Sequence, residues 1–385
     1  MSLVPRAAAA RCMALTACLV TMAAGAAPLS VRILTYEPPA EVDESVSMWA
    51  TDWANGSVKM PFVESRETPA VAERINAALF LGVMETPAPA RPAAAFHLPK
   101  GQWPQGTASQ DVEVVRNDAR VLSIVLTAEG CGAYCETYSQ HHNFDVRSGR
   151  ALALDDLLTP TGLSALTAEV ARARQSAYTR QLKTLQQERA AAQRRGHRDE
   201  LDDLDDRIAL NKDCLEGERH SPRQPDDVRQ ASFSLPVAGG MALSTARCSN
   251  HASRALDDVG EVTVTVPAGQ LRPWLSPYGH AVVLGDGDAP PPATLFGQVL
   301  RGRIGTAPVT LLLERPQANG SVVGRYCYDK YRQPIRLSGR REGTQLRLDE
   351  GEGEPSATLR LAWGAHGLAG QWVGGGKTLP VQLDW

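Results

Sequence analysis

Hydrophobic positions along the chain switch between a period of two and a spacing of three and four, so strands and helices alternate in its first three quarters. Leu29 to Tyr36 and Val58 to Val63 are short apolar runs that predict strands. Thr68-Pro69 then supplies a capping residue type followed by proline at the first helical position. Val71, Ile75 and Leu79 fall four apart, which predicts one buried helix face. The Pro/Ala stretch from Thr86 to Ala95 reads as a loop. Val112 and Val114 alternate with acidic residues, Asn117-Asp118 makes a turn, and Leu122, Ile124 and Leu126 alternate again, a hairpin signal. Tyr138 to Val146 reads as a further strand and Arg147 to Arg150 as a turn, before Leu152, Leu154 and Leu157-Leu158.

The pattern changes over residues 163–216. Leu163, Leu166, Val170, Tyr178, Leu182 and Leu185 keep helical spacing, and Leu201, Leu204, Ile208 and Leu215 resume it after Gly196. The first segment ends basic at Arg194-Arg195 and the second starts acidic at Asp199-Glu200, both favourable to a helix dipole. Two charged helices in an antiparallel hairpin are expected. Phe233 to Val237, Met241 to Ser244 and Val262 to Val266 read as strands, with Leu271 to Leu275 as a short helical turn. Residues 286–293, rich in Gly, Asp and Pro, are the clearest linker.

From 294 to 385 the chain looks all-β. Val309 to Leu313, Val322 to Tyr328, Ile335 to Ser338, Gln345 to Leu348, Thr358 to Trp363, Gly367 to Trp372 and Leu379 to Leu383 are candidate strands, most separated by glycine or proline. The expected fold class is therefore α+β: an antiparallel sheet with packed helices and a helical hairpin over 27–285, then a small all-β barrel-like domain over 294–385.

Residues 1–26 read as a secretory signal. Arg6 and Arg11 precede the apolar run Met13 to Ala23, and Ala24-Gly25-Ala26 offers small residues for cleavage. The run is too short to span a membrane. A rival reading takes Leu15-Thr16-Ala17-Cys18 as a lipoprotein site lipidated at Cys18, but it leaves only a short apolar stretch after Arg11. Export places the chain in the periplasm or outside the cell, where cysteines oxidise. Of seven cysteines, Cys12 and Cys18 leave with the signal, so an odd number stays. Cys131 and Cys135 could bridge locally, Cys214 and Cys248 could tie a helix end to a later segment, and Cys327 would be free or paired to another chain. The net charge of −3 provides no broad basic field, so nucleic acid is not an expected partner. No other apolar run approaches the length of a membrane span.

Val58-Lys59-Met60-Pro61-Phe62, Ile75 to Leu79, Tyr134 to Tyr138, Asn143-Phe144-Asp145, Gly149, Leu152 to Leu158, Val262 to Val266 and Leu271 to Leu275 form a set of short apolar and aromatic motifs. These stretches resemble a secreted family of unknown function, the non-catalytic module shared with the lysozyme-sensing anti-sigma factor RsiV and the peptidoglycan deacetylase PdaC. Together they cover about residues 30–280. The resemblance implies helices packed on an antiparallel sheet and an envelope module that binds a glycan or a lysozyme-like protein. The chain has no recognisable deacetylase domain and no anti-sigma transmembrane segment. The hairpin at 163–216 and the C-terminal β region are additions to the family pattern.

Candidate chemistry is sparse. Cys131, Cys135, His141 and His142 are zinc-ligand types, but adjacent histidines on a strand point to opposite faces. No metal and no cofactor is expected. Gly374-Gly375-Gly376-Lys377-Thr378 resembles the end of a phosphate loop, yet Gln371 stands where the motif needs glycine, so a hairpin turn is expected. The acidic pairs Asp155-Asp156, Asp202-Asp203, Asp205-Asp206 and Asp257-Asp258 read as helix starts and solvated faces. Ser249-Asn250-His251 reads as a polar turn after Cys248. Trp363, Trp372 and Trp385 fall in the last strands with Tyr326, Tyr328 and Tyr331 nearby; Trp363, Trp372 and Tyr328 are the candidate ligand-binding residues.

The expected function is a non-catalytic envelope binding protein for peptidoglycan or a lysozyme-like protein. One alternative is an envelope hydrolase assembled from His141, His142, Asp145 and His251. The other is a structural partner docking through the hairpin, which an uncovered apolar stripe there would favour.

Overall fold

The computed structural model describes residues 28–36, 57–92, 107–131, 135–221, 223–250, 252–317, 319–351 and 356–384. The expected signal at 1–26 with its Cys12 and Cys18, and also His251 and Trp385, lie outside these residues. Five strands, β1 (Ser30–Tyr36), β2 (Val58–Glu64), β3 (Thr107–Asn117), β4 (Val121–Cys131) and β5 (Cys135–Asp145), form one sheet in chain order. Its neighbours run antiparallel except where β2 meets β3. Helix α1 (Pro69–Val83) covers one face, and its Val71, Ile75, Leu79 and Phe80 join Met60, Leu122, Ile124 and Phe144 in a closed core. Each fully buried aliphatic side chain there contributes roughly 1.5–3 kcal/mol.

The other face of β4 and β5 is polar and is stitched to a second sheet, β6 (Ser232–Ser234), β7 (Met241–Thr245) and β8 (Val262–Val266). The Ser123 hydroxyl donates to Asn143 (2.6 Å), and the Asn143 amide donates to the Phe233 carbonyl (2.7 Å). The expected strand Phe233 to Val237 is shorter than its sequence suggests, because the chain leaves the sheet before Pro236.

The helical hairpin forms as its charge pattern predicts. The short helix α2 (Leu154–Leu157) precedes it, then α3 (Pro160–Arg195) and α4 (Arg198–His220). Thr159 caps α3 by accepting from the Gly162 N–H at 3.0 Å, and Gly196 ends it with φ 76°, a left-handed residue that needs no Cβ accommodation. Tyr178, Leu182, Leu185, Leu204, Ile208 and Leu215 bury one another along the seam, so the apolar stripe is covered. Two further ties hold the hairpin down. Arg174, 1% exposed, donates to Glu218 at 2.6 Å and to the Ala246 carbonyl at 2.6 Å. The Cys214–Cys248 disulfide links α4 to the segment after β7. Cys135 is also disulfide-bonded, and its register partner across the β4–β5 pair is Cys131, whose side chain is outside the described set. Cys327 is free and buried.

The C-terminal strands close into an eight-stranded barrel: β9 (Val299–Ile304), β10 (Ala307–Leu313), β11 (Ser321–Tyr328), β12 (Pro334–Glu342), β13 (Gln345–Glu350), β14 (Ala357–Gly364), β15 (Gly367–Gly374) and β16 (Lys377–Asp384). Neighbours are antiparallel throughout, and β9 closes the ring on β16. An eight-stranded barrel is narrow enough for side chains to fill it. Leu300, Leu311, Leu348, Leu361, Leu368 and Leu383 do so, none more than 1% exposed. The closing strand β9 is absent from the hydrophobic reading. Its inward position between Leu300 and Ile304 is Gly302, flanked by Arg301 and Arg303, so alternation is broken where it matters. Glycine is required there, because a Cβ would lie 1.9 Å from the Gln382 carbonyl oxygen. The Gly375-Gly376 pair turns β15 into β16 with φ 53° and 71°, which makes this phosphate-loop lookalike a hairpin turn.

The barrel packs on α1 through Ala77, Leu81, Val299, Leu312 and Cys327. Its main polar tie is Asp156, 2% exposed. That carboxylate accepts from Arg150 at 2.9 Å, from the Ala153 N–H at 3.1 Å and from Arg315 of the segment following β10. Arg150 also donates to the Pro292 carbonyl at 2.7 Å. Removing one partner of a buried charge network leaves the others unpaired, so Asp156→Asn is expected to cost about 3–5 kcal/mol in urea unfolding; a loss under about 1 kcal/mol would show the network to be dispensable. The Cys214–Cys248 bridge closes a 34-residue separation, so the Cys214→Ser, Cys248→Ser double variant should lose about 3–4 kcal/mol. An unchanged unfolding midpoint would contradict that.

Candidate functional site

Of the residues of the hydrolase reading, His251 lies outside the described residues, and His141, His142 and Asp145 do not converge. His141 and His142 project from opposite faces of β5, as neighbouring strand residues must. His141 shares a face with Asp145, but four strand residues separate them by about 13 Å. The Asp145 carboxylate is already occupied: Tyr278 donates its hydroxyl at 2.8 Å, and the Arg147 backbone N–H donates at 2.9 Å. Burial and that carboxylate push the Tyr278 hydroxyl far above its ordinary range, which suits a permanent donor. Among the described residues no group of three His, Cys, Asp or Glu side chains is placed to hold a metal ion. No described helix is long and apolar enough to cross a membrane.

The three candidate aromatics separate into two ends of the barrel. Trp363 pairs in register with Leu368 beside the β14–β15 turn, and the Arg341 guanidinium lies 5.2 Å over its ring. Trp372 pairs with Leu359, near the opposite rim, about 13 Å along the strand from Trp363. Tyr328 lies at that same opposite rim. There Trp372 donates its indole N–H to Glu350, a carboxylate only 6% exposed, and the Tyr326 hydroxyl donates to the same oxygen at 2.6 Å. Burial, together with that bond, pushes the Tyr326 hydroxyl well above its ordinary value. Tyr326 meets Tyr328 edge to face at 5.5 Å, and Tyr328 meets Tyr331 in the same way at 6.3 Å. The three rings run from the barrel interior to water, since Tyr326 is 1% and Tyr331 65% exposed. Such contacts are worth about 0.5–1.5 kcal/mol each beyond their buried area, so the outer ring has a defined seat.

This rim also carries backbone strain. Among the described residues the non-glycine positions with left-handed φ are Glu85 (50°) and Arg332 (54°). Arg332 follows Tyr331, and its side chain donates to the Pro87 carbonyl at 3.3 Å and to the Ala88 carbonyl. Glu85, just after α1, accepts from Arg325 at 2.8 Å and Arg336 at 2.7 Å. Burial works to raise the Glu85 carboxyl, but the hydrogen bond from Arg336 and the charge of Arg325 outweigh it and hold the group below its usual range. A polar groove of about 610 Å³ opens beside this contact, lined by Glu85, Glu314, Arg325, Arg336, Ser338 and Asp349. Strained residues persist where surrounding contacts enforce them, and they concentrate at binding sites. Sequence pattern alone gives no sign of Glu85, Arg332 or Glu350. The signal for Tyr331 is weak: a large aromatic inside the polar turn Asp329-Lys330-Tyr331-Arg332.

Two solved structures are similar to this chain. One is a DUF3298 family protein from Pseudomonas aeruginosa PAO1, 15% identical, with 66% of this chain and 96% of that chain covered and a TM-score of 0.37. The other is a DUF3298 family member from Bacteroides fragilis NCTC 9343, 10% identical, with 68% and 99% covered and a TM-score of 0.39. Both belong to a family of unknown function, and neither description names RsiV, PdaC, a ligand or a reaction. No family model and no curated protein matches the chain.

His142 is chemically distinct even though it joins no site. Its Nε2 has no accessible surface and no hydrogen-bond partner among the described residues. Burial, assisted by the neighbouring His141 ring, pushes its pKa down to about 4. The unfolded chain, with an ordinary value near 6.5, takes up the proton first as pH falls. The stability tied to neutral His142 is therefore complete above about pH 6.5 and is lost progressively toward pH 4, by at most about 3 kcal/mol. His142→Phe should flatten the pH dependence of the urea midpoint between pH 7 and 4.5, and a slope matching the parent protein would refute the assignment.

Proposed function

We propose that this is an exported, non-catalytic binding protein of the cell envelope that contacts a cell-wall glycan through the barrel rim around Tyr331. In this reading residues 27–285 and 294–385 act as two domains joined at 286–293, and the mature chain works in the periplasm or outside the cell. The observation that carries the proposal is an exposed tyrosine, Tyr331, that meets Tyr328 edge to face and through it the hydrogen-bonded Tyr326, on a barrel whose wall also carries a polar groove lined by Glu85, Arg325 and Arg336. An aromatic face stacks on a sugar ring, and the flanking carboxylates and guanidinium groups can accept from and donate to its hydroxyls. The disulfide between Cys214 and Cys248 is in keeping with an oxidising compartment. A partner-docking role for the hairpin has less support, because its apolar stripe is covered.

Tyr328 and Trp372 enter the proposal as the supports of Tyr331, and Trp363 belongs to the other end of the barrel. Co-sedimentation with purified sacculi, and parallel capture on immobilised lysozyme, test the reading. Retention on sacculi should fall about tenfold in Tyr331→Ala, the equivalent of about 1.4 kcal/mol. Capture on lysozyme alone would replace the glycan with a protein ligand, and retention on neither would defeat the proposal.

A further inference from the structure

The outer wall of the barrel holds three arginines side by side. Arg340 on β12 is in register with Arg347 on β13, and Arg347 is in register with Arg360 on β14. All three side chains are exposed, and the residues before and after Arg347 and Arg360 are turned inward as barrel core. Adjacent strands lie about 4.8 Å apart, so the three guanidinium groups share one small patch. Like charges directly opposite each other in a sheet are destabilising. Little relieves them here. Arg340 donates to the Asn319 carbonyl at 3.1 Å, and Arg347 stands 3.8 Å from Asp349. Asp349 in turn accepts from Thr358 at 2.6 Å. The Arg360 side chain has no hydrogen-bond or ion-pair partner among the described residues.

A shallow cavity of about 580 Å³ lies over this row, lined by Arg340, Arg347, Arg360, Glu342, Gln345 and Asp349. We propose that it is a second binding site, centred on the arginine row and sharing only Asp349 with the groove lined by Glu85, for the phosphate monoester of a phosphorylated sugar. A carboxylate carries one charge, whereas a phosphate monoester carries about −1.5 to −2 at neutral pH with three acceptor oxygens. Guanidinium forks match those oxygens bidentately. Glu342 and Asp349 would repel a bare polyanion but, with the Gln345 amide oxygen, accept from sugar hydroxyls, so the lining fits a ligand that is anionic at one end and hydroxylated at the other. The volume lies within the usual range for small-ligand sites. Nucleic acid fits less well, because the outward register neighbours of the row are Ser321, Gln371 and, one step along, Ala362, none of which stacks on a base.

Calorimetric titration with glucose 6-phosphate, glucose and inorganic phosphate at 50 and 200 mM NaCl tests the site. The expected result is binding of glucose 6-phosphate that weakens with salt, none of glucose, and weaker binding of inorganic phosphate. The triple variant Arg340→Gln, Arg347→Gln, Arg360→Gln should lose at least tenfold in affinity while unfolding at the same or a higher temperature, since it relieves the repulsion. If the triple variant fails to fold, Arg347→Gln alone supplies the same comparison. Equal affinity of variant and parent, or inorganic phosphate binding as tightly as the sugar phosphate, would overturn the proposal. So would tighter binding to anionic phosphatidylglycerol vesicles or to a single-stranded oligonucleotide. Retention on sacculi reports on the Tyr331 rim and is expected to survive the triple variant.

Discussion

The architecture depends on one carboxylate placed where three parts of the chain meet. Asp156 sits in the first turn of α2, receives Arg150 from the segment after β5, and receives Arg315 from the segment following β10 of the barrel. The same carboxylate accepts from the Ala153 N–H and so satisfies a donor of its own helix start. Burial of such charges costs several kcal/mol each unless geometry and hydrogen bonds compensate. Here they do so in large part: Arg150 gives its other fork nitrogen to the Pro292 carbonyl and rests 5.9 Å over the Tyr278 ring, while its Nε has no partner among the described residues. Tyr278 in turn donates to Asp145, so two buried carboxylates share one scaffold of donors. An apolar cluster could hold these elements together, but it would not fix how the barrel is rotated on α1. Directional hydrogen bonds do.

That fixed rotation is what gives the barrel rim its shape. Glu85 follows α1 and Arg325 and Arg336 belong to the barrel, so their contact exists only in this docking arrangement. The same holds for Arg332 and the carbonyls of Pro87 and Ala88. Each contact enforces a left-handed residue that would cost on the order of 1–3 kcal/mol in isolation. The closed barrel supplies the counterweight: with every strand paired on both sides and an interior filled by leucine, it cannot yield to release the strain. Tyr331 is therefore held next to a turn braced by these contacts and by its edge-to-face contact with Tyr328.

Much of this was legible in the sequence, and the failures share one cause. The helical hairpin, its break at Gly196 and the Cys214–Cys248 pair were readable because helix period, dipole-matched charges and cysteine position are local signals. Most barrel strands were readable from alternation. The strand β9 was not, because barrel closure demanded glycine at the inward position where alternation needs an apolar side chain. Among the candidate residues, Tyr328 and Trp372 stand out in the sequence as aromatics, but their grouping with Glu350 and separation from Trp363 depend on which strand end faces which rim. Register decides that, and register is set by partners far away in sequence. Asp155-Asp156 was readable as a helix start and not as a keystone, since Arg315 lies 159 residues away.

The distribution of charge separates residues that hold the molecule together from those free to meet a partner. Buried guanidinium groups are committed: Arg150 to Asp156, Arg174 to Glu218, and Arg116 to Asp118 and the Val283 carbonyl. These pairs satisfy the rule that an interior charge persists only when matched. The exposed row on β12 to β14 follows the opposite pattern, with cations aligned by the register of a rigid sheet and no acid interposed in the row. Flexible surface arginines can swing apart to reduce repulsion, but their Cα atoms cannot, because the barrel fixes them one strand apart. Closure of the barrel thus holds positive charge together more tightly than an open surface loop could. A rigid scaffold that keeps like charges close lowers the reorganisation needed to receive an anion, which is where binding affinity is otherwise lost.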